Sequence, residues 1–321
     1  MKKPLIILTG PTASGKTALS VALAKRIGGE IISADSMQVY RHMDVGSAKV
    51  TKEEMDGVPH YLIDVLEPRD AFNVVVFKQM AKEAVETIYA NGHIPIVAGG
   101  TGFYIQALLY DIDFTEDDGD MEYRHKLENM ESLEGPEALH RLLSQVDPAS
   151  AEAIHANNVK RVIRALEFYE KTGKRISEHN EEERAKESPY CFAYYVLNME
   201  RARLYARIEE RVDRMVEEGL VDEVRALKTM GCTRDMVSMQ GLGYKEILDY
   251  LGGELSLEEA IYILKRDTRH FAKRQLTWFK REKDVTWVDQ ETFGFDRERI
   301  LEWMIKDLEA RGIPVRKNES E

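Results

Sequence analysis

Apolar runs alternate with amphipathic stretches along the first third of the chain. Four short runs, "PLIILTG", "EIISAD", "HYLIDV" and "HIPIVAGG", have the length and composition of buried strands. Helical periodicity fills the intervals, as in "TALSVALAKRIGG" and "VVVFKQMAKEAVETIYANG". Strands and helices that alternate in this way predict an α/β fold, with a parallel sheet and helices on both of its faces.

The pattern changes after Phe114. From there to residue 189, helical periodicity and many charges continue without a run that is typical of a strand. Strand character returns in "YCFAYYVLNM" and again in "DVTWVD", with two long helical stretches between them. We therefore predict a core formed by residues 1–114 and 190–321, interrupted by an all-helical insertion at residues 115–189.

Composition narrows the class of protein. A chain of 321 residues with 43% apolar residues can form a packed core. It has no apolar run long enough to span a bilayer and no secretory signal pattern, so we expect a cytoplasmic protein without membrane contact. Cys191 and Cys232 form neither a disulfide framework nor a zinc motif. No feature indicates an obligatory protein partner.

The first predicted strand leads directly into a phosphate-binding pattern. The stretch "GPTASGKT" matches G-x-x-x-x-G-K-[ST] between a strand and a helix, which is the context that this motif requires. Gly10 and Gly15 let the backbone wrap around an anion, the helix N-terminus and Lys16 attract it, and Thr17 can bind Mg²⁺. The motif predicts a bound diphosphate. The strand "IPIVAGG" ends in glycines, where an ATPase or GTPase needs a metal-binding acid.

A polar cluster follows the second predicted strand. The stretch "IISADSMQVY" brings Asp35, Ser36, Gln38 and Tyr40 together at the end of the strand. Ligands of α/β proteins bind at the carboxyl ends of the strands, so this cluster is a candidate site. The alternative for Asp35 is a turn or cap residue that accepts hydrogen bonds from backbone amides.

Five motifs in a fixed order carry a family resemblance. With "GPTASGKT", "SADSMQVYRHMDVGSAKVT", "GGTGFYIQALL", "NNVKRVIRALE" and "GLGYKE", the chain resembles the bacterial tRNA dimethylallyltransferases, also called tRNA isopentenyltransferases, over essentially its whole length. The resemblance implies that the phosphate loop holds dimethylallyl diphosphate, with Mg²⁺. It also implies that the dimethylallyl group moves to N6 of the adenosine on the 3′ side of the anticodon in tRNA, giving N6-isopentenyladenosine and diphosphate.

The resemblance implies roles for individual residues. Asp35 would be the base that takes the N6 proton, because this amine is a poor nucleophile until a base does so. Thr101 would help to position N6, with a helix N-cap as the alternative. Arg211 would stabilise the leaving diphosphate, and Gln38 offers the donor and acceptor that suit the N6/N7 edge of adenine. The diphosphate would contact Gly10, Thr12, Ala13, Ser14, Gly15, Lys16 and Thr17. The flipped-out adenine would contact Asp35, Ser36 and Gln38, and Met37 and Thr101 would be further contacts with the tRNA.

Two helical stretches carry basic faces although the net charge of the chain is −12. Lys160, Arg161 and Arg164 lie opposite an apolar stripe, and Lys273 belongs to a similar face in "EAIYILKRDTRHFAKRQLTWFKRE". A solvated helix surface explains most such faces, but the resemblance favours contacts with tRNA phosphates. We therefore predict that the insertion clamps the anticodon stem-loop. Tyr123 would be a further contact, with a packed aromatic as its alternative.

The sequence leaves open two other functions and the location of two arginines. A small-molecule or nucleotide kinase also combines a phosphate loop, a carboxylate at a strand end and a helical lid. A non-enzymatic RNA-binding protein would leave the strand-end cluster unexplained. For Arg203 and Arg207, which share a helical face with Arg211, a solvated surface is the expected location.

Overall fold

The computed structural model of the protein describes residues 2–114 and 121–315. Within these residues, six parallel strands form one sheet in the order β3-β2-β4-β1-β5-β6. The strands are β1 (Lys3–Thr9), β2 (Gly29–Ala34), β3 (His60–Tyr61), β4 (Ile94–Gly99), β5 (Tyr190–Asn198) and β6 (Val285–Asp289). Because all six run in the same direction, the carboxyl ends of β1, β2 and β4 meet at one edge of the sheet.

Helices connect the strands and form the insertion. Ser256 and Glu259 make a capping box at the start of the longest helix, and Asn73 caps another by accepting from two backbone amides. The helices of the described residues are α1 (Lys16–Ile27), α2 (Lys52–Met55), α3 (Val74–Ala90), α4 (Gly102–Leu109), α5 (Met121–Glu134), α6 (Pro136–Val146), α7 (Pro148–Ala153), α8 (Val159–Thr172), α9 (Ile176–Ala185), α10 (Arg201–Glu217), α11 (Leu220–Thr229), α12 (Tyr244–Gly252), α13 (Leu257–Phe279) and α14 (Arg297–Ala310). Short 3₁₀ turns span Ser238–Gln240 and Gln290–Phe293.

Both faces of the sheet are covered, as the continuous apolar runs predict. On one face, Ile6 and Leu8 of β1 belong to a core cluster with α1 and α14. The alternate residues Leu5 and Ile7 are also fully buried, and α3 packs against β2 and β4. The predicted α/β fold, a phosphate-loop core with helices on both faces, is confirmed.

Two elements differ from their predicted extents. The predicted strand "HYLIDV" pairs with β2 only through His60 and Tyr61, because Leu62 and Asp64 have φ angles of 63° and 55°, which end the strand. The long helical stretch after residue 200 is divided into α10 and α11 at Gly219, whose φ is 101°.

The chain divides into two compact units, Met1–Leu109 with Pro189–Glu321, and Tyr110–Ser188. In its described residues the second unit consists of α5 to α9, which surround a core that includes Leu139, Leu143, Val162 and Leu166. The predicted insertion, residues 115–189, overlaps this unit, and its assignment as a separate domain stays a prediction. Among the described residues, every helix is too short or too polar to cross a bilayer.

Candidate active site

The phosphate loop lies between the end of β1 and the start of α1. Gly15 precedes α1 with a φ of 88°, in the left-handed region that favours glycine. A Cβ atom at Gly10 would lie 2.9 Å from the carbonyl oxygen of Leu197, closer than real Cβ atoms approach. Both glycines are therefore required by the backbone, and the loop leads directly into α1, whose N-terminal amides are favourable for an anion.

Lys16 supplies an ammonium group at this loop. Its Nζ donates a hydrogen bond to the carbonyl oxygen of Pro11 at 3.2 Å. Desolvation and, to a smaller extent, the nearby charge of Arg211 lower the pKa of Lys16 to about 8, although the charge of Asp35 acts in the opposite direction. A bound diphosphate would favour the charged form of this side chain.

Two arginines of α10 border the loop. Nη1 of Arg211 donates to the hydroxyl of Thr12 at 3.3 Å, and burial lowers the pKa of this guanidinium. One turn earlier, Nη2 of Arg207 lies 3.5 Å from the position that a Cβ of Gly15 would occupy. The helical pattern predicted a solvated surface for Arg207, but this side chain lies beside the loop as a second cation. Arg203 instead stacks over Phe295, at 4.1 Å from the ring centre.

Two glutamines connect the loop to the rest of the core. Gln275 of α13 accepts from the amide of Thr12 and donates to the carbonyl of Gly100, both at 2.9 Å. Gln290 donates to the carbonyl of Ser14 at 3.1 Å. The hydroxyl of Ser14 is buried without a hydrogen-bond partner among the described residues, which makes it available to a ligand in the loop. Neither glutamine was predicted, because a single amide side chain has no local sequence signature that reveals such distant contacts.

Asp35 follows β2 and uses one of its two carboxylate oxygens locally. Oδ1 accepts the backbone amides of Met37 at 2.8 Å and Gln38 at 3.3 Å. Oδ2 has no hydrogen-bond partner in the part of the chain that the structure describes. The turn role and the base role, weighed as alternatives in the sequence, are thus compatible, because each can be performed by a different oxygen.

The neighbours of Asp35 have different environments. Nε2 of Gln38 donates to the carbonyl of Ala48 at 3.1 Å, so one amide proton is engaged within the chain. Ser36 and Met37 are half-buried. Tyr40 is fully buried, and its hydroxyl donates to the carbonyl of Asp70 at 3.3 Å. Tyr40 is therefore a core residue.

Thr101 lies where β4 ends, beside the end of β2. Its amide donates to the carbonyl of Ala34 at 3.2 Å. Its hydroxyl makes no hydrogen bond with any described residue, so Thr101 does not cap α4 through its side chain. Between the loop and the strand ends is a small pocket with a mixed lining, which consists of Lys16, Thr17, Ser20, Ile31, Ser33, Asp35, Gln38, Val50, His60, Ile63, Ala98 and Gly99.

The donor set suits a magnesium ion that is shared with a ligand. The described residues contain no cluster of three or more acidic, histidine or cysteine side chains that would form a protein cage for a metal. Thr17 lines the pocket at the start of α1. Mg²⁺ typically keeps several waters and binds through one or two protein oxygens and the phosphates of a substrate, and the hydroxyl of Thr17 fits that arrangement.

The residues predicted to contact tRNA lie in both units. In the second unit, Lys160 and Arg161 of α8 are exposed, Arg164 is half-buried, and Tyr123 packs against the helical core, which raises its pKa by burial. In the first unit, Lys273 of α13 is exposed. Two other cations of that helix pair with carboxylates of α10, through the ion pairs Lys265–Asp213 and Arg269–Glu209.

Comparisons with known proteins agree on one family. The model of the IPP transferase family matches residues 38–282. A tRNA dimethylallyltransferase from Lachnoclostridium phytofermentans is 61% identical over 311 residues, which cover 97% of this chain and 99% of that protein. The crystal structure of the full-length tRNA isopentenylpyrophosphate transferase from Bacillus halodurans has 47% identity and a TM-score of 0.72, covering 97% of this chain and 98% of the other. A eukaryotic dimethylallyltransferase, captured in crystals acting on tRNA, has 28% identity and a TM-score of 0.83, covering 99% of this chain and 82% of the other.

Proposed function

Because this chain belongs to the IPP transferase family, we propose that it transfers the dimethylallyl group of dimethylallyl diphosphate to tRNA. The acceptor is N6 of the adenosine on the 3′ side of the anticodon, and the products are N6-isopentenyladenosine and diphosphate. The observation that carries this proposal is the free Oδ2 of Asp35 at the same sheet edge as the phosphate loop, with Lys16 and Arg211 beside it.

On the donor side, the chain binds and stabilises the diphosphate. The amides of the loop, Lys16 and Arg211 face a leaving group on which negative charge develops as the C–O bond breaks, and preorganised cations stabilise such charge. Arg207 adds a second guanidinium to this side. Thr17 would hold Mg²⁺, which supplies further charge neutralisation on the diphosphate when it is bound.

On the acceptor side, the chain removes a proton. As N6 of adenine forms its bond to the allylic carbon, one N6 proton moves to Oδ2 of Asp35, which leaves the product amine neutral. The hydroxyl of Thr101 and Oε1 of Gln38 are the groups that can hold the amine in line with the allylic carbon. Oδ1 stays bonded to the turn amides, so the carboxylate keeps its orientation throughout.

The nature of the acceptor also indicates the place of action. A cytoplasmic location is proposed because the acceptor is tRNA and no helix of the described residues is long and apolar enough to span a membrane. The basic face of α8 would bind the phosphates of the anticodon stem, so binding should weaken steeply with added salt.

One assay tests the proposed function against the kinase alternative. The protein is incubated with bulk tRNA and either dimethylallyl diphosphate labelled in its allylic carbons or ATP labelled in its γ-phosphate. We expect the allylic label to become acid-insoluble with the tRNA and the ATP label to stay in solution. Transfer of the γ-phosphate with no transfer of the allylic label would replace the proposal with a kinase.

A further inference from the structure

Glu223 of α11 holds the loop formed by residues 44–48, which we name the 44–48 loop. Its two carboxylate oxygens accept hydrogen bonds at 2.7 to 3.0 Å from three successive backbone amides, those of Asp44, Val45 and Gly46. The hydroxyl of Tyr244, the first residue of α12, donates to the same carboxylate at 2.9 Å. Successive amides that converge on one anion form a nest, so the backbone of this loop is fixed to α11 and α12.

Packing and backbone geometry show that the 44–48 loop depends on this attachment. Tyr244 is fully buried, and a Cβ atom at Gly46 would lie 2.5 Å from its ring. Ala48 has a φ of 43°, which is unfavourable for a residue other than glycine and persists only when surrounding contacts hold it. Lys49, whose side chain is almost completely buried, holds the end of the loop through ion pairs with Asp44 and Asp64.

The opposite side of the 44–48 loop fixes the orientation of Gln38. Nε2 of Gln38 donates to the carbonyl of Ala48 at 3.1 Å, and the carbonyl of Ser47 lies at 3.5 Å, the limit for such a bond. Carbonyl oxygens can only accept, so the amide nitrogen must face the loop and the reversed orientation is excluded. Oε1 is then the end of the amide that is available to a substrate in the pocket that Gln38 shares with Asp35.

We propose that Glu223 is a positioning residue that acts through the 44–48 loop on Gln38 and so makes the site select a purine with an amino group at position 6. An outward Oε1 accepts from an N6 amine, but it would meet a lone pair of the oxygen in a 6-oxo purine, which leaves both acceptors unpaired. The proposal rests on the proposed function and adds to it the source of discrimination between adenine and hypoxanthine. Tyr244 supports Glu223 in this role.

The test uses the full chain and two synthetic anticodon stem-loops, one with adenosine at the acceptor position and one with inosine. The variants are Glu223→Gln, Tyr244→Phe, Gln38→Ala and the double variant Glu223→Gln with Gln38→Ala. Glu218→Gln makes the same chemical change at an exposed residue and is the matched control. The measurements are KM for the adenosine stem-loop, KM for dimethylallyl diphosphate, and the inhibition constant of the inosine stem-loop. The preference for adenosine is the ratio of that inhibition constant to KM for the adenosine stem-loop.

We expect Glu223→Gln to raise KM for the adenosine stem-loop roughly tenfold and KM for dimethylallyl diphosphate less than about twofold, within the range of couplings inside one hydrogen-bond network. The preference for adenosine over inosine should fall by a similar factor. In the Gln38→Ala background, adding Glu223→Gln should raise KM for the adenosine stem-loop by less than about twofold. Tyr244→Phe keeps the ring that packs on Gly46 and should shift the preference in the same direction by less, so the test remains decisive if Glu223→Gln does not fold.

Other outcomes would overturn the proposal. An equal cost of Glu223→Gln with and without Gln38 would show that Glu223 does not act through it. Unchanged preference for adenosine in both Glu223→Gln and Tyr244→Phe would show that the loop has only a structural role. If the wild-type protein transferred no dimethylallyl group to the adenosine stem-loop, the proposed function would itself fail, and this result is seen before any variant is compared.

Discussion

Asp35→Asn separates the turn role of this side chain from its proposed role as the base, because the structure assigns the turn contacts to one oxygen and leaves the other free. The amide of Asn keeps an oxygen that can accept from the backbone of Met37 and Gln38, so the turn should be retained. The substitution removes the basic oxygen, and Asn cannot take a proton from N6. We expect the single-turnover rate to fall on the order of 10² to 10⁴-fold, the usual contribution of a general base.

That loss corresponds to roughly 2.8 to 5.6 kcal/mol of transition-state stabilisation, since each tenfold is about 1.4 kcal/mol. Binding should be nearly unchanged on the acceptor side. On the donor side, Asp35 is the group that raises the pKa of Lys16 toward its present value of about 8. Its removal lowers that pKa further, so donor affinity should be compared near pH 6.5, where the lysine retains most of its charge.

The assay mixes an excess of enzyme and labelled dimethylallyl diphosphate with an anticodon stem-loop and follows product over time. Asp222→Asn, which changes an exposed carboxylate paired with Arg225, is the control and should react like the wild type. Equilibrium binding of each substrate verifies that Asp35→Asn still forms the complex. A rate within a few-fold of the wild type, with both substrates bound, would show that the carboxylate is not the base.

Four further predictions address the donor site, the RNA contact, and two effects of pH. Lys16→Ala and Arg211→Ala should weaken dimethylallyl diphosphate binding by at least about tenfold and leave tRNA affinity within twofold in filter binding; lost tRNA affinity in Arg211→Ala would move that residue to the acceptor side. Arg161→Glu should raise KM for tRNA and reduce the slope of log affinity against log salt, with kcat little changed; a large loss of kcat at saturating tRNA would contradict a role in backbone binding. Because the pKa of Lys16 is about 8, calorimetric affinity for dimethylallyl diphosphate should fall as pH rises past 8, and Lys16→Arg should remove this dependence; equal pH profiles for both proteins would refute it. Burial would raise the pKa of Glu30, but three hydrogen bonds outweigh this effect and leave the pKa below 4.5. The charged carboxylate therefore stabilises the fold above pH 4.5, and this stabilisation is lost as pH falls through the lowered pKa. Glu30→Gln should lower Tm at pH 7, and a difference in Tm from the wild type that did not shrink in acid would contradict this.

The sheet was predictable because its signal is local. Each buried strand is a short apolar run. The "GPTASGKT" loop is recognisable from its own residues, because the backbone geometry at positions 10 and 15 requires glycine. The third strand was predicted too long, because Leu62 and Asp64 adopt positive φ angles that their residue types disfavour. Such angles are imposed by contacts that a local pattern does not contain, among them the ion pair of Asp64 with Lys49.

The site was predictable only in part, for a related reason. Asp35, Lys16 and Thr101 follow strands, and the ends of parallel strands converge by geometry alone. Arg207, Gln275 and Glu223 reach the site from helices more than 170 positions away along the chain, where a polar residue on a partly exposed helix is ordinary. Their contacts with the phosphate loop and the 44–48 loop depend on tertiary packing, which no motif in the sequence encodes.

In the proposed reaction, this chain joins a dimethylallyl group to N6 of one adenosine in tRNA. The most direct measurement is mass spectrometry of an anticodon stem-loop after incubation with the protein, dimethylallyl diphosphate and Mg²⁺, followed by nuclease digestion to locate the change. We expect the adenosine on the 3′ side of the anticodon to gain one dimethylallyl group in place of an N6 proton, and a stem-loop with inosine at that position to gain none. An unmodified adenosine, or equal modification at other adenosines, would contradict this expectation.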